Sequence, residues 1–181
     1  MSAVKPILSL GHAIWKSHLQ KGNLAIDATC GNGHDTLFLS QQSLSRLYVF
    51  DIQEKALSTT KERVGLRSDI SYLLGCHSLF EGVNEMVHLI IYNLGYLPGG
   101  DKSLTTRVET TLQSIRKGLS LLLPGGLMSL TLYTGHPEGK EEEEALLRLA
   151  KTLLPEKFQV THHRLFGRSK APSLLLIQKI V

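Results

Sequence analysis

Apolar positions fall into two kinds of run along this chain. Leu8, His12, Trp15 and Leu19 recur four, three and four residues apart behind Pro6, the spacing of one helix face, and Gly22 and Asn23 end that helix. Short, mostly apolar runs follow at 24–26, 47–50, 70–74, 87–92 and 127–133, the pattern of strands buried on both faces. Stretches of helical length separate most of them, at 35–41, 54–64, 105–122 and 138–154, and Pro124-Gly125-Gly126 closes the third. Two last apolar runs, 158–166 and 173–180, have no helix between them and predict a terminal hairpin. This order predicts an α/β fold. A mostly parallel seven-stranded sheet carries helices on both faces and ends in an antiparallel strand.

Composition narrows the class. A chain of 181 residues, 42% apolar and 20% charged, suits one domain spanning 1–181 with one core. Its net charge of +4 and pI near 9.1 are compatible with a polyanionic partner. Cys30 and Cys76 form neither a CxxC pair nor a disulfide framework, so a reducing, cytoplasmic setting is expected. The first residues lack a long apolar run behind a basic cluster, and no stretch approaches the roughly 18 apolar residues of a membrane helix. The four glutamates at 141–144 read as a solvated helix face. A monomer and a homodimer both stay open.

Ligands of parallel sheets bind at the carboxyl ends of the strands. Asp27, Asp51, His77, Asn93 and Tyr133 all fall at or just beyond such ends. The first candidate is Asp27-Ala28-Thr29-Cys30-Gly31-Asn32-Gly33-His34-Asp35-Thr36, where Gly31 and Gly33 let the backbone turn sharply against a ligand. Asp27 is placed to hold a cationic amino-acid end, directly or through water. Asp51, eighteen residues after Gly33, can accept two hydrogen bonds from a ribose diol. The plainer reading is an ordinary strand-to-helix turn, and G-x-G alone favours it; the two strand-end acids shift the balance to a nucleoside cofactor. The second candidate is Asn93-Leu94-Gly95-Tyr96. An amide oxygen there can accept a hydrogen bond from an amine, and the ring can stack on a base. A capping Asn with a packed Tyr explains the same four residues. The third is Tyr133-Thr134-Gly135-His136-Pro137, with His136 as a proton acceptor or substrate contact.

Other residues take structural readings. His12, His18 and His88 read as surface or satisfied residues, and Trp15 and Leu19 as core. His162 and His163 have no Cys, His or carboxylate at metal-ligand spacing, so no metal site is expected. There is no G-x-S-x-G elbow, and Gly31 to Gly33 lacks the Lys-Ser/Thr of a P-loop.

The turn from Asp27 to Thr36, the segment Asn93-Leu94-Gly95-Tyr96-Leu97-Pro98-Gly99-Gly100-Asp101-Lys102 and the segment Tyr133-Thr134-Gly135-His136-Pro137-Glu138-Gly139 resemble the small bacterial-type family known as "putative rRNA methylases". The resemblance runs from about Leu8 to Lys179. It implies a class I, Rossmann-like methyltransferase that uses S-adenosylmethionine. It also implies a cofactor site built from Asp27, Thr29, Gly31, Asn32, Gly33, Asp35, Thr36, Asp51, Gln53, His77 and Asn93. Asn93, Tyr96, Asp101 and His136 would act at the substrate, with Lys102 and Tyr133 as further contacts. Some members of the family methylate the amino group of 5-aminomethyl-2-thiouridine at the tRNA wobble position, which makes RNA, specifically a tRNA anticodon loop, the expected partner. The chain departs from the pattern at Lys102, where many relatives have a histidine. It departs again at Arg168-Ser169-Lys170-Ala171-Pro172, which lacks an asparagine-rich, double-proline run.

The expected reaction is direct displacement, in which the protein supplies proximity and orientation. Rival readings are methylation of a ribosomal RNA base or a protein amine, a non-catalytic RNA-binding module, and a nicotinamide-dependent oxidoreductase. The intact Asn93 to Tyr96 segment disfavours the binding module. The missing third glycine and the terminal strand pair disfavour the oxidoreductase.

Overall fold

The computed structural model describes residues 6–95, 108–135, 137–168 and 170–181. Five helices and seven strands appear among them, in the order α1 (Pro6–His18), β1 (Leu24–Asp27), α2 (His34–Ser40), β2 (Arg46–Asp51), α3 (Glu54–Val64), β3 (Ile70–Leu74), β4 (Val87–Leu94), α4 (Val108–Leu121), β5 (Leu122–Leu132), α5 (Pro137–Lys151), β6 (Phe158–His163) and β7 (Ser173–Lys179). The strands form one sheet in the order β3-β2-β1-β4-β5-β7-β6. β7 alone runs against its neighbours β5 and β6, and the other pairings are parallel. Strand order reverses between β1 and β4, which opens a crevice at their carboxyl ends.

Both sheet faces are covered, which is why the strand runs are mostly apolar rather than alternating. Ala25, Leu89, Ile91, Leu174 and Leu176 point to one side, into a core shared with α1, α2 and α3. Ile26, Ile90, Tyr92, Leu175 and Ile177 point to the other, against α4 and α5. Trp15 is buried against the sheet, and its indole N–H donates to Ser129 Oγ (2.8 Å). His88 Nδ1 accepts from the Leu24 amide, and its carbonyl pairs with His18 Nε2, so both rings fasten α1 and β1 to β4. Among the described residues, no helix is long and apolar enough to cross a membrane.

Two expectations fail. Pro124-Gly125-Gly126 does not end a helix; it lies inside β5, which begins at Leu122. Leu122 pairs with Val87 and Leu127 with Leu89, so the extra residues on β5 form a bulge. Gly125 supplies a φ of +81° there, and proline is tolerated because a bulge needs no ladder donor. The glutamate run is solvated only at Glu141 and Glu144. Glu142 accepts from the Thr111 hydroxyl (2.7 Å) and Glu143 from the Ser173 hydroxyl (2.6 Å), and both are buried. Hydroxyls from α4 and β7 replace the water such charges would otherwise keep. The last two strands are also shorter than the runs that predict them, since β6 stops at His163.

Candidate active site

The turn after β1 is held by its neighbours. Gly33 has φ +76° and starts α2, and its N–H donates to the Cys30 carbonyl (2.8 Å). A Cβ on Gly33 would meet Thr60 Cα at 2.9 Å, so only glycine lets α3 lie against the turn. The Thr60 hydroxyl lies 3.2 Å from the Gly31 carbonyl, and Arg63 Nε donates to the Asn32 carbonyl (2.6 Å). Asp51, at the end of β2, accepts the Gly31 N–H on Oδ2 (3.0 Å) and the Gln53 N–H on Oδ1 (2.9 Å). A carboxylate has about four acceptor positions. The Cys30 thiol donates to Oδ2 as well (3.8 Å), so about one remains on Asp51, which is only partly buried. Burial and the neighbouring Asp27 push the Cys30 thiol well above its ordinary range, so it is an inert packing group.

Asp27 lies beneath the turn, fully buried. Its Oδ2 accepts from the Thr36 hydroxyl (2.6 Å) and its Oδ1 from the Thr29 N–H (3.3 Å). Burial raises its pKa from 3.8 to about 7, opposed by the Thr36 hydrogen bond and assisted by the charge of Asp35.

Asp35, in the first turn of α2, gathers a second group. Its Oδ1 lies 2.5 Å from His12 Nε2 and its Oδ2 accepts from Asn93 Nδ2 (2.5 Å). The His12 ring stacks on Phe38, with centroids 4.2 Å apart. The Asn93 N–H donates to Thr29 Oγ1 (2.7 Å). Tyr133, half-buried just beyond β5, has its phenol pushed up to about 12, by burial first and by Asp35 second. Because Asp35 takes the Asn93 amide N–H, Asn93 Oδ1 is left facing inward. It is buried and has no hydrogen-bond partner among the described residues.

His77, after β3, stands apart from both groups. Its ring is buried edge-on to Tyr92 (5.6 Å), and its carbonyl accepts from Ser114 Oγ (3.0 Å). Burial depresses its pKa to about 4, so the ring is neutral, and its Nδ1 is a second buried polar atom without a partner among the described residues.

The predicted residues thus fall into three places. Asp27, Thr29, Asp35, Thr36, Asn93 and Tyr133 meet around the β1–β4 crevice. Gly31, Asn32, Gly33, Asp51 and Gln53 form the turn and its clasp. His77 lies on the β3 side. Tyr96, Asp101, Lys102 and His136 lie outside the described residues. His12 joins the site although its reading was structural; the available signal was a polar ring inside the apolar stripe of α1. Asp35, the acceptor position left on Asp51 and the two buried polar atoms that lack a partner among the described residues fit a ligand that carries a cation, a diol and ring nitrogens. Among the described residues no group of three or more His, Cys, Asp or Glu could hold a metal ion.

Comparison with known proteins gives this site its context. The profile of the family described as "Putative rRNA methylase" matches residues 47–179. A chloroplastic tRNA (mnm(5)s(2)U34)-methyltransferase from Arabidopsis thaliana is 34% identical over 191 aligned positions, covering 97% of this chain and 70% of that protein. A crystal structure described as a putative rRNA-methylase from Clostridium thermocellum superposes with a TM-score of 0.92 at 34% identity, covering 98% of this chain and all of that one (100%). A Streptococcus mutans putative methyltransferase, solved with S-adenosylhomocysteine, superposes with a TM-score of 0.88 at 35% identity, covering 98% of this chain and 99% of that one. The chain therefore belongs to the putative rRNA methylase family and is a methyltransferase that uses S-adenosylmethionine.

Proposed function

We propose that this enzyme methylates tRNA, at the aminomethyl nitrogen of wobble 5-aminomethyl-2-thiouridine. The observation that carries the reading is Asn93 Oδ1, a buried acceptor with no partner among the described residues, which suits an amine N–H. The likeness to the Arabidopsis tRNA methyltransferase supports the choice of amine. A target in an anticodon loop is already single-stranded, so splaying it into the crevice costs little unpairing energy.

In this reading the partly exposed Asp51 turns its remaining acceptor capacity to the ribose diol, assisted by Gln53. The turn residues Gly31, Asn32 and Gly33 bring backbone against the ligand. Asp27 keeps Thr29 and Thr36 in place from below. Asp35 sits nearest the cationic end, and His77 offers Nδ1 to the base. When bound, S-adenosylmethionine supplies a methyl group already activated on sulfur, so that a nitrogen–carbon bond forms as the sulfur–carbon bond breaks. Asn93 Oδ1 accepts one amine N–H and aims the lone pair. Asp35 locks the Asn93 amide in the required orientation, and His12 locks Asp35. Tyr96 is assigned the stacking contact with the target base, and Lys102 and Tyr133 are further substrate contacts in this reading. Asp101 or His136 takes the proton that the amine must lose.

Nucleoside mass spectrometry of tRNA from cells with and without the protein tests the assignment. The expected result is loss of one methyl group from the wobble nucleoside, with the unmethylated aminomethyl form in its place. Unchanged tRNA with an unmethylated ribosomal RNA base would replace this reading by the second one, which the family description favours.

A further inference from the structure

The loop between β6 and β7 has no role in the site described above, and its composition is unusual for this chain. Residues 164–172 carry Arg164, Arg168 and Lys170 and no acid. Between the first two cations stands Phe166, which is fully exposed (105% of its reference area). Of the five phenylalanines, the other four are buried or partly buried. Leaving one in water forgoes burial free energy, so an exposed ring between cations calls for a partner.

The exposure is built into the loop. Leu165 turns inward against the core on the α1 side. Gly167 has φ +71°, the Arg168 N–H donates to the Leu165 carbonyl (3.3 Å), and the Ala171 N–H donates to the Arg168 carbonyl (3.1 Å). With Leu165 anchored and the turn closed, Phe166 is directed away from the core. Arg164 is braced by Glu143 (3.3 Å), which also meets Ser173 and His162. Glu143 neutralises part of the Arg164 charge, so Arg168 and Lys170 are the freer cations. An open depression of about 410 Å³ runs along Arg164, Phe166 and Arg168.

Register places the loop beside the active site. Asn93 pairs with Thr131, Thr131 with Leu174, and Leu174 with His163, all in one row across the sheet. Neighbouring strands lie about 4.8 Å apart, so the root of the loop is about 15 Å from Asn93, at the carboxyl-end side of the sheet. Stacked nucleotides rise about 3.4 Å each along a strand, so that gap spans a few nucleotides.

We infer that the β6–β7 loop is a single-stranded RNA clamp, with Phe166 stacking on a base a few nucleotides from the target and Arg168, Lys170 and Arg164 holding the flanking phosphates. This rests on the reading of the enzyme as a tRNA methyltransferase. An aromatic ring between cations suits single-stranded RNA, because every base has a π-face and every linkage a charge.

Binding of a fluorescein-labelled anticodon stem-loop RNA by the full chain tests this, alongside S-adenosylhomocysteine affinity. Phe166→Ala should weaken RNA binding about 5- to 150-fold, the loss of one stacked base. Phe166→Trp should restore it, and the new exposed indole should be quenched by RNA. Arg168→Ala and Lys170→Ala should each lower the salt slope of RNA binding by about 1. S-adenosylhomocysteine affinity should be the same in all of them. If Phe166→Ala binds the stem-loop as tightly as wild type, the clamp is wrong and the tRNA assignment stands. If wild type binds no stem-loop RNA at all, both fall.

Discussion

Asp27 and Asp51 end neighbouring parallel strands and look equivalent in the sequence, yet the fold gives them opposite chemistry. Asp27 is fully buried, with one hydroxyl and one N–H for company, and burial raises its pKa to about 7. Asp51 is partly exposed, accepts two backbone N–H groups and the Cys30 thiol, and has one acceptor position to spare. Both strands are covered on both faces, but Asp27 ends β1 next to the β4 crevice and is sealed under the turn, whereas Asp51 ends β2 with its carboxylate still partly exposed. In the proposed reading a strand-end acid meets the ligand only where the next element leaves its carboxylate open. The one that is sealed shapes the turn instead.

The sharpest way to break this contrast is pH-dependent stability. Native Asp27 keeps its proton up to about pH 7, whereas the unfolded carboxyl releases it near 3.8. The unfolded chain thus binds fewer protons between those values, and stability falls as pH rises through that window and levels off above it. The gap corresponds to roughly 4 kcal/mol. Asp27→Asn should stabilise the ligand-free protein by up to that amount at pH 8 and hardly at all at pH 4, by urea denaturation. Asp51→Asn should instead lose about 1–2 kcal/mol at pH 8, because one backbone N–H loses its acceptor. A destabilised Asp27→Asn at pH 8 would contradict the contrast.

Gly33→Ala tests the turn that both acids serve. Its φ of +76° and the 2.9 Å approach to Thr60 Cα should together cost roughly 2–4 kcal/mol in thermal unfolding. Asp51→Ala should weaken S-adenosylhomocysteine binding by about 10- to 150-fold in calorimetry, the loss of roughly 1.5–3 kcal/mol of hydrogen bonds to a charged group. Normal affinity would remove Asp51 from the ligand side. The third acid, Asp35, sharpens the comparison further because it acts through another side chain. Asn93→Ala should lower kcat about tenfold or more with cofactor affinity nearly unchanged. His12→Ala should lower kcat only a few-fold, since it removes the support of Asp35 and not the amide itself.

Strands and their polar ends were legible in the chain because a two-sided core demands mostly apolar runs, and Asp27, Asp51 and Asn93 stand at the ends of three of them. The Asp35 group was not legible as a unit. Residues 12, 35 and 93 come from α1, α2 and β4, and no local spacing joins them. Glu142 and Glu143 were misread for a related reason: a charge run looks solvated until Thr111 and Ser173 arrive from other elements to satisfy it. The start of β5 was hidden by Pro124-Gly125-Gly126, which has the same composition whether it ends a helix or forms a bulge. The family resemblance named Thr29, Thr36 and His77, but only the packing showed that the first two hold Asp27 and Asn93 in place while His77 sits against Tyr92.

The central claim is that the acceptor is an aminomethyl nitrogen in tRNA. The most direct measurement is transfer of a labelled methyl group from S-adenosylmethionine by the purified enzyme to two tRNA preparations that differ only in whether the wobble uridine carries that aminomethyl group. Label on the modified tRNA alone, lost in Asn93→Ala, is the predicted result. Equal labelling of both preparations, or labelling of ribosomal RNA only, would contradict it.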